Sequence, residues 1–272
     1  LADLASVEQR LNKQQRLAKG DKSLLPEIAA LEKALESNPQ VAAMKDNIPA
    51  AHHGLLSGGV VFFGKQPKTG RGFVVQSIEG GGWGGRPTED GESGTVTVCQ
   101  GDVRNGSIEG IELKCPLMVE SRGLRPDSAG AGKFRGGFAI NLRVRNFVEG
   151  RWNLRRPRRV GCPPWGLWGG TSGEPGNYLV RRPGESDYQA IDAVRYLVPE
   201  QTQVIARTSG GGGWGDPLER DPAKVAWDVI EELISEKSAS EQYGVVLKKD
   251  KSVDEAATAA LRTKMRAAQK VA

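Results

Sequence analysis

Two copies of the pentapeptide GGGWG, at residues 80–84 and 211–215, are the first elements of this chain whose type and spacing suggest chemistry. Runs of glycine permit positive φ and let bare backbone approach a ligand or another chain. They also lose much backbone entropy on folding, so packing or binding has to demand them. The tryptophan in each copy, Trp83 or Trp214, would anchor its loop by burying a large apolar surface. Two readings stay open: tight structural turns at sheet ends, or loops that face substrate or another subunit.

The segment Gly130-Ala131-Gly132-Lys133-Phe134-Arg135-Gly136-Gly137 has spaced glycines followed by basic residues. It is not a P-loop, and it leads into an expected strand rather than a helix, so it does not read as a nucleotide cradle. His52 and His53 are the only histidines. On an extended backbone adjacent side chains point to opposite faces, so the two could not easily share one metal ion, and catalytic zinc usually takes three protein ligands. One histidine with a carboxylate is the remaining metal arrangement. Carboxylates in notable settings are Glu79, Asp102, Glu109, Glu112, Asp127 and Asp216. Asp216 follows the second glycine run, at an expected loop mouth. Asp127 lies in the turn Arg125-Pro126-Asp127-Ser128, where its side chain could simply bond nearby backbone N–H groups.

Three zones must position these residues. Residues 1–38 carry apolar stripes, Leu4-Val7-Leu11 and Leu24-Ile28-Leu31-Leu35, separated by a break at residues 19–23. Spacings of three and four predict an αα-hairpin. Residues 46–210 alternate β-branched and aromatic runs with glycine turns. Strands are expected at 60–63, 72–78, 95–98, 108–113, 138–144, 178–181, 190–197 and 203–207, giving an antiparallel sandwich or barrel-like sheet. Residues 211–248 add the second glycine loop and helices: Asp221-Pro222 predicts a helix start, Val225-Val229-Leu233 a buried stripe and Gly244 a C-cap. Residues 249–272 predict a solvated terminal helix. The fold class is therefore α+β, a Gly-rich and mainly antiparallel β body flanked by helices.

Composition narrows the function classes. Glycine numbers 36 of 272 residues with no collagen period, and 26% charged residues exclude a disordered polar chain. No apolar run suggests a membrane span and no leader pattern is seen. With Leu1 in first place, the chain reads as a fragment or processed product. Three cysteines without a close pair suit reduced thiols and a cytoplasmic location better than a disulfide framework. The net charge of +5 equals the five arginines at positions 151, 155, 156, 158 and 159. Only Trp152 accompanies that cluster, which argues against nucleic-acid binding and for a solvated hairpin or subunit contact.

Several long motifs occur in a characteristic order: GGGWGGRPTEDGESG, VRNGSIEGIE, LRPDSAGAGKFRGGFAI at 124–140, CPPWGLWGG, and GGGGWGDPLERDPAKVAWDVIEELISEKSASEQYGVVL at 210–247. Over about residues 46–248 the chain resembles the hydantoinase B/oxoprolinase family. The resemblance implies a subunit, or half-subunit, of an ATP-dependent cyclic-amide hydrolase of the hydantoinase/5-oxoprolinase type. ATP would be handled by a hydantoinase A-type partner. Family members carry His/Asp metal-ligand motifs in an N-terminal half that has no counterpart here. A divalent metal would thus come with that missing half on another chain, and activity of this chain alone is not expected. Related subunits of acetone and acetophenone carboxylases make a carboxylase the second reading, and a non-catalytic scaffold binding a partner protein or RNA the third. Within the first reading, Gly82, Trp83, Gly132, Gly212, Gly213 and Trp214 shape the substrate pocket. Arg135 offers paired donors to a carboxylate or acyl-phosphate, Asp216 orients a substrate N–H or a water, and Asp127 is the other catalytic candidate. Residues 1–36 separately resemble the helical hairpin of Obg-like YchF-type ATPases, without that family's nucleotide motifs.

Overall fold

The computed structural model describes residues 36–53, 58–96, 106–154, 163–191 and 195–269. The expected hairpin over 1–38 lies almost wholly outside the described residues, as do Asp102, Cys99, Cys162 and the arginines at 155–159. After a short helix α1 (Pro39–Ala43), capped by Asn38, the chain builds two antiparallel sheets. The first contains β1 (Gly58–Lys65), β2 (Gly72–Glu79), β5 (Gly150–Leu154) and β8 (Arg195–Val198), in the order β2-β1-β5-β8. The second contains β3 (Leu117–Leu124), β4 (Ile140–Asn146), β6 (Asn177–Arg181), β7 (Gln189–Ile191) and β9 (Gln203–Arg207), in the order β3-β4-β9-β6-β7.

Alternation along the strands explains why the sheets pack together. In β4, Leu142 and Val144 point inward while Arg143 and Arg145 point outward. They meet Val60, Phe62, Trp152 and Leu154 of the first sheet in one core with Tyr178, Val180, Val204 and Ala206. Trp152 stacks on Phe62 with ring centres 4.6 Å apart, both fully buried. The architecture is the expected mainly antiparallel α+β body, in its sandwich form.

Two local expectations change. The run at 108–113, expected as a strand, is helix α2 (Ile108–Lys114). Ser107 caps it by accepting from Gly110 N, and Glu109 and Lys114 complement its dipole at opposite ends. The strand lies just beyond it as β3, an edge strand whose exposed second half conceals its pattern. The start of the arginine-rich segment at 151–160, expected as a solvated hairpin or a subunit contact, belongs to the central strand β5, in which Arg151 faces out while Trp152 fills the core.

The C-terminal part follows expectation. Helix α3 (Pro222–Ile230) starts at its Asp221 cap, α4 (Glu236–Tyr243) ends at Gly244 with φ +61°, and α5 (Glu255–Gln269) follows. Val225, Val229, Ala239 and Tyr243 pack with Ala131 and Phe138 in a second core, which docks the helices on the LRPDSAGAGKFRGG segment. Among the described residues no helix is long and apolar enough to cross a membrane.

Candidate functional site

The two GGGWG runs lie against each other inside the molecule. Residues 210–214 thread between neighbouring segments and bond to them with a period of three. Gly210 N donates to Glu174 O at 3.0 Å, and Gly213 N, three residues on, donates to Thr171 O of the same segment at 2.9 Å. Between them Gly211 N donates to Gly137 O at 3.0 Å and Gly212 N to Ala51 O at 2.9 Å. Three residues per turn without internal hydrogen bonds is the geometry of a polyproline II helix. Here the groups that such a helix leaves free are satisfied by its neighbours.

Glycine is required there by proximity. A Cβ on Gly210 would lie 1.8 Å from Ser128 O, and one on Gly212 would lie 1.9 Å from Trp165 O. On Gly213 it would lie 2.0 Å from Ala131 O, on Gly82 1.8 Å from Gly137 O, and on Gly132 2.6 Å from Trp214 N. Side chains cannot occupy such gaps. Gly82, Gly132, Gly212 and Gly213 are therefore brought together, and the side-chain direction of each faces neighbouring backbone, where the sequence reading has them line a substrate pocket.

The tryptophans sit on the flanks of this bundle. Trp83 is half-buried; its Nε1 donates to Val96 O at 2.8 Å and its ring stacks on His52 at 5.2 Å. Trp214 is buried between Phe134 and Trp168. His52 Nδ1 accepts from Gly84 N at 2.8 Å, while the buried His53 ring lies against Gly81. Among the described residues no group of three or more His, Cys, Asp or Glu is placed to hold a metal. Two carboxylate candidates cap local structure. Asp216 accepts from Leu218 N at 2.9 Å, and Asp127, at φ +54°, accepts from Ser235 N at 2.8 Å. Glu79 is buried and paired with Arg122 at 2.9 Å, which ties β2 to β3.

Arg135 belongs to an ion cluster beside the bundle. Its Nε donates to Asp228 Oδ2 at 3.1 Å, its Nη1 to Gly136 O at 3.1 Å, and its backbone N to Asp90 Oδ1 at 3.0 Å. Arg220 grips Asp90 with two bonds, 2.6 and 2.8 Å, and reaches Asp228 Oδ2 at 2.9 Å. The paired donors expected from Arg135 are thus partly spent on Asp228; its Nη2 has no hydrogen-bond partner among the described residues. Burial pushes the Asp90 carboxyl up, but the Arg220 and Arg135 guanidinium groups outweigh it and hold its pKa below the ordinary value. Burial works against charge on Arg220 too, yet Asp90 and Asp228 keep it firmly protonated. Burial pushes the Tyr243 hydroxyl up, so it stays neutral. The cluster floors an open groove of about 410 Å³, whose wall is Ala223, Lys224 and Trp227 of α3.

Asp90, Arg220 and Asp228 were not among the expected site residues. Asp228 carried a signal, since a charged residue on the buried stripe of Val225 and Val229 needs a cation. Asp90 carried none, because its partner Arg220 is 130 positions away.

Comparison with known proteins fits this architecture. Residues 28–217 match the family model described as hydantoinase B/oxoprolinase. The chain is 31% identical over 195 residues to the beta subunit of caprolactamase from Pseudomonas jessenii, covering 70% of this chain and 33% of that protein. The solved ATP-dependent caprolactamase from the same organism superimposes with a TM-score of 0.68 at 26% identity, over 86% of this chain and 40% of that one. The B subunit of a putative D-/L-hydantoinase from Pseudomonas sp. (strain NS671) is 30% identical over 192 residues, 70% of this chain and 32% of that protein. The acetone carboxylase alpha subunit of Xanthobacter autotrophicus is 28% identical over 241 residues, 71% of this chain and 30% of that one. The chain spans about a third of the length of these curated relatives. With the family match covering most of its length, the chain is a member of the hydantoinase B/oxoprolinase family.

Proposed function

We propose that this chain supplies the glycine-packed body of a hydantoinase B-type subunit in an ATP-dependent cyclic-amide hydrolase of the hydantoinase/5-oxoprolinase type, working in the cytoplasm. The observation that carries the reading is the family match over residues 28–217, alongside the relatives named as hydantoinase and caprolactamase subunits. ATP falls to a hydantoinase A-type partner, as the family resemblance implies, and a sequence without a P-loop fits that division of labour. A divalent metal, where the reaction uses one, falls to the part of a B-type subunit that this chain does not span.

The chain's own contribution is positional. The backbone bundle holds Trp83, Trp214 and the loop from Gly130 to Gly137 rigidly. Arg135 offers Nη2 toward a carboxylate or acyl-phosphate, oriented by Asp228. Asp127 and Asp216 act through the backbone turns they cap. A carboxylase of the acetone type is the second reading, supported by the 28% identity to that enzyme's alpha subunit.

Co-expression with a hydantoinase A-type subunit and the remaining part of a B-type subunit tests this. ATP turnover that depends on a hydantoin or lactam, with ring opening, is the expected result. Turnover that needs a ketone and bicarbonate instead would move the assignment to the carboxylase. Turnover with neither would leave the scaffold reading.

A further inference from the structure

The groove beside α3 has a charge pattern and a shape that the bundle does not require. Its floor is self-compensated: the carboxylates of Asp90 and Asp228 are both held by Arg220 and Arg135. Counting every charged residue that lines it, three cations (Arg135, Arg220, Lys224) face two carboxylates, which leaves one positive charge. Lys224 is exposed and has no ion-pair partner among the described residues. Arg135 lines the same groove with its guanidinium over the Phe138 ring, and its Nη2 has no hydrogen-bond partner among the described residues. Trp227 follows Lys224 by three residues and so stands beside it on the same face of α3. Its indole is 61% exposed, a large apolar surface left open next to those two donors. The floor does not rearrange readily, because Arg220 is 1% exposed and held by both carboxylates. A rigid floor, a free cation and a flat aromatic wall in a space of about 410 Å³ make a preformed small-molecule site.

We propose that this groove binds a planar monoanion, a carboxylate carried on a flat ring or amide, with the ring on Trp227 and the carboxylate between Lys224 Nζ and Arg135 Nη2. The ring supplies apolar contact with the indole face. The anion neutralises the single uncompensated charge, and a dianion or an uncharged ligand matches that count less well. This assignment rests on the role proposed above for Arg135, whose Nη2 meets the carboxylate in both, while ligand binding is read apart from turnover.

Benzoate is the probe. Titrated into the full chain, it is expected to shift the Trp227 indole NH resonance in a saturable way, with the signal identified by its loss in Trp227→Leu. Benzamide, the uncharged isostere, is expected to bind about ten-fold more weakly, the equivalent of one lost charge-assisted contact. Lys224→Gln should weaken benzoate by a similar factor, while Lys249→Gln, on an exposed stretch elsewhere, should leave it unchanged. Lys224 and Trp227 are exposed, and an unaltered thermal midpoint in both variants confirms that the fold is intact. Absence of saturation in the wild type up to about 10 mM, weaker than any useful affinity, overturns the proposal. So does equal binding of benzamide, which would show that charge plays no part, and so does equal binding of inorganic phosphate, which would show that the flat wall plays none.

Discussion

Gly211 and Trp83, one from each GGGWG run, approach so closely that a methyl group on Gly211 would sit 1.9 Å from the Trp83 carbonyl oxygen. The two runs are therefore one structural object. Each owes its composition to the other, and together they hold the groove in place.

Replacing Gly211 by alanine should destabilise the protein by about 3 kcal/mol or more, since backbone atoms cannot yield as a side-chain tip can. Gly123→Ala is the comparison: nothing lies within 4 Å of its Cβ position. It should be neutral or slightly stabilising, by up to about 1 kcal/mol. Urea midpoints of the two variants measure the difference. Equal midpoints would show that the bundle loosens to accept a methyl group.

Arg220→Ala should cost about 3–5 kcal/mol, because it strands Asp90 and Asp228 in a poorly solvated site. Arg220→Lys should recover little of that loss. An ammonium cannot reproduce the two parallel bonds to Asp90 and the third to Asp228. Chemical denaturation of both variants is the check, and full recovery by lysine would show that charge alone matters at this position.

The Asp90 carboxyl predicts a pH dependence with a definite sign. Its folded pKa lies below the ordinary value because the Arg220 and Arg135 guanidinium groups outweigh burial. The ion cluster's contribution is then whole above the unfolded pKa of about 3.9 and is lost as pH falls toward the folded value. Wild-type urea midpoints should drop below about pH 4. Asp90→Asn should be less stable near neutrality and show a shallower fall. An identical slope in the two proteins would assign the acid sensitivity elsewhere.

Cys115 is buried, and burial pushes its thiol pKa up against the opposing charge of Lys114. Reactivity belongs to the thiolate. Mass spectrometry after iodoacetamide treatment should therefore find Cys115 unmodified in the native protein and alkylated in denaturant. Prompt native alkylation would mean that this end of the sandwich opens.

Much of the fold could be read from local sequence, because caps and alternation act over a few residues. Asp221-Pro222 starts a helix, Gly244 ends one, and the inward Leu142 and Val144 alternate with outward arginines. The ordered motifs carried the family. Local chemistry could not separate a glycine that turns from a glycine that packs: residues 210–213 needed their neighbours at Ser128, Trp83, Trp165 and Ala131 before their purpose was defined. The same holds for the ion cluster. Arg135 could be singled out from its motif, but Asp90 and Asp228 lie 130 and 8 positions from Arg220, and only chain folding brings the three within bonding distance. Propensity and capping are short-range in sequence. Close backbone packing and ion pairing are short-range in space, and only the tertiary structure converts one into the other.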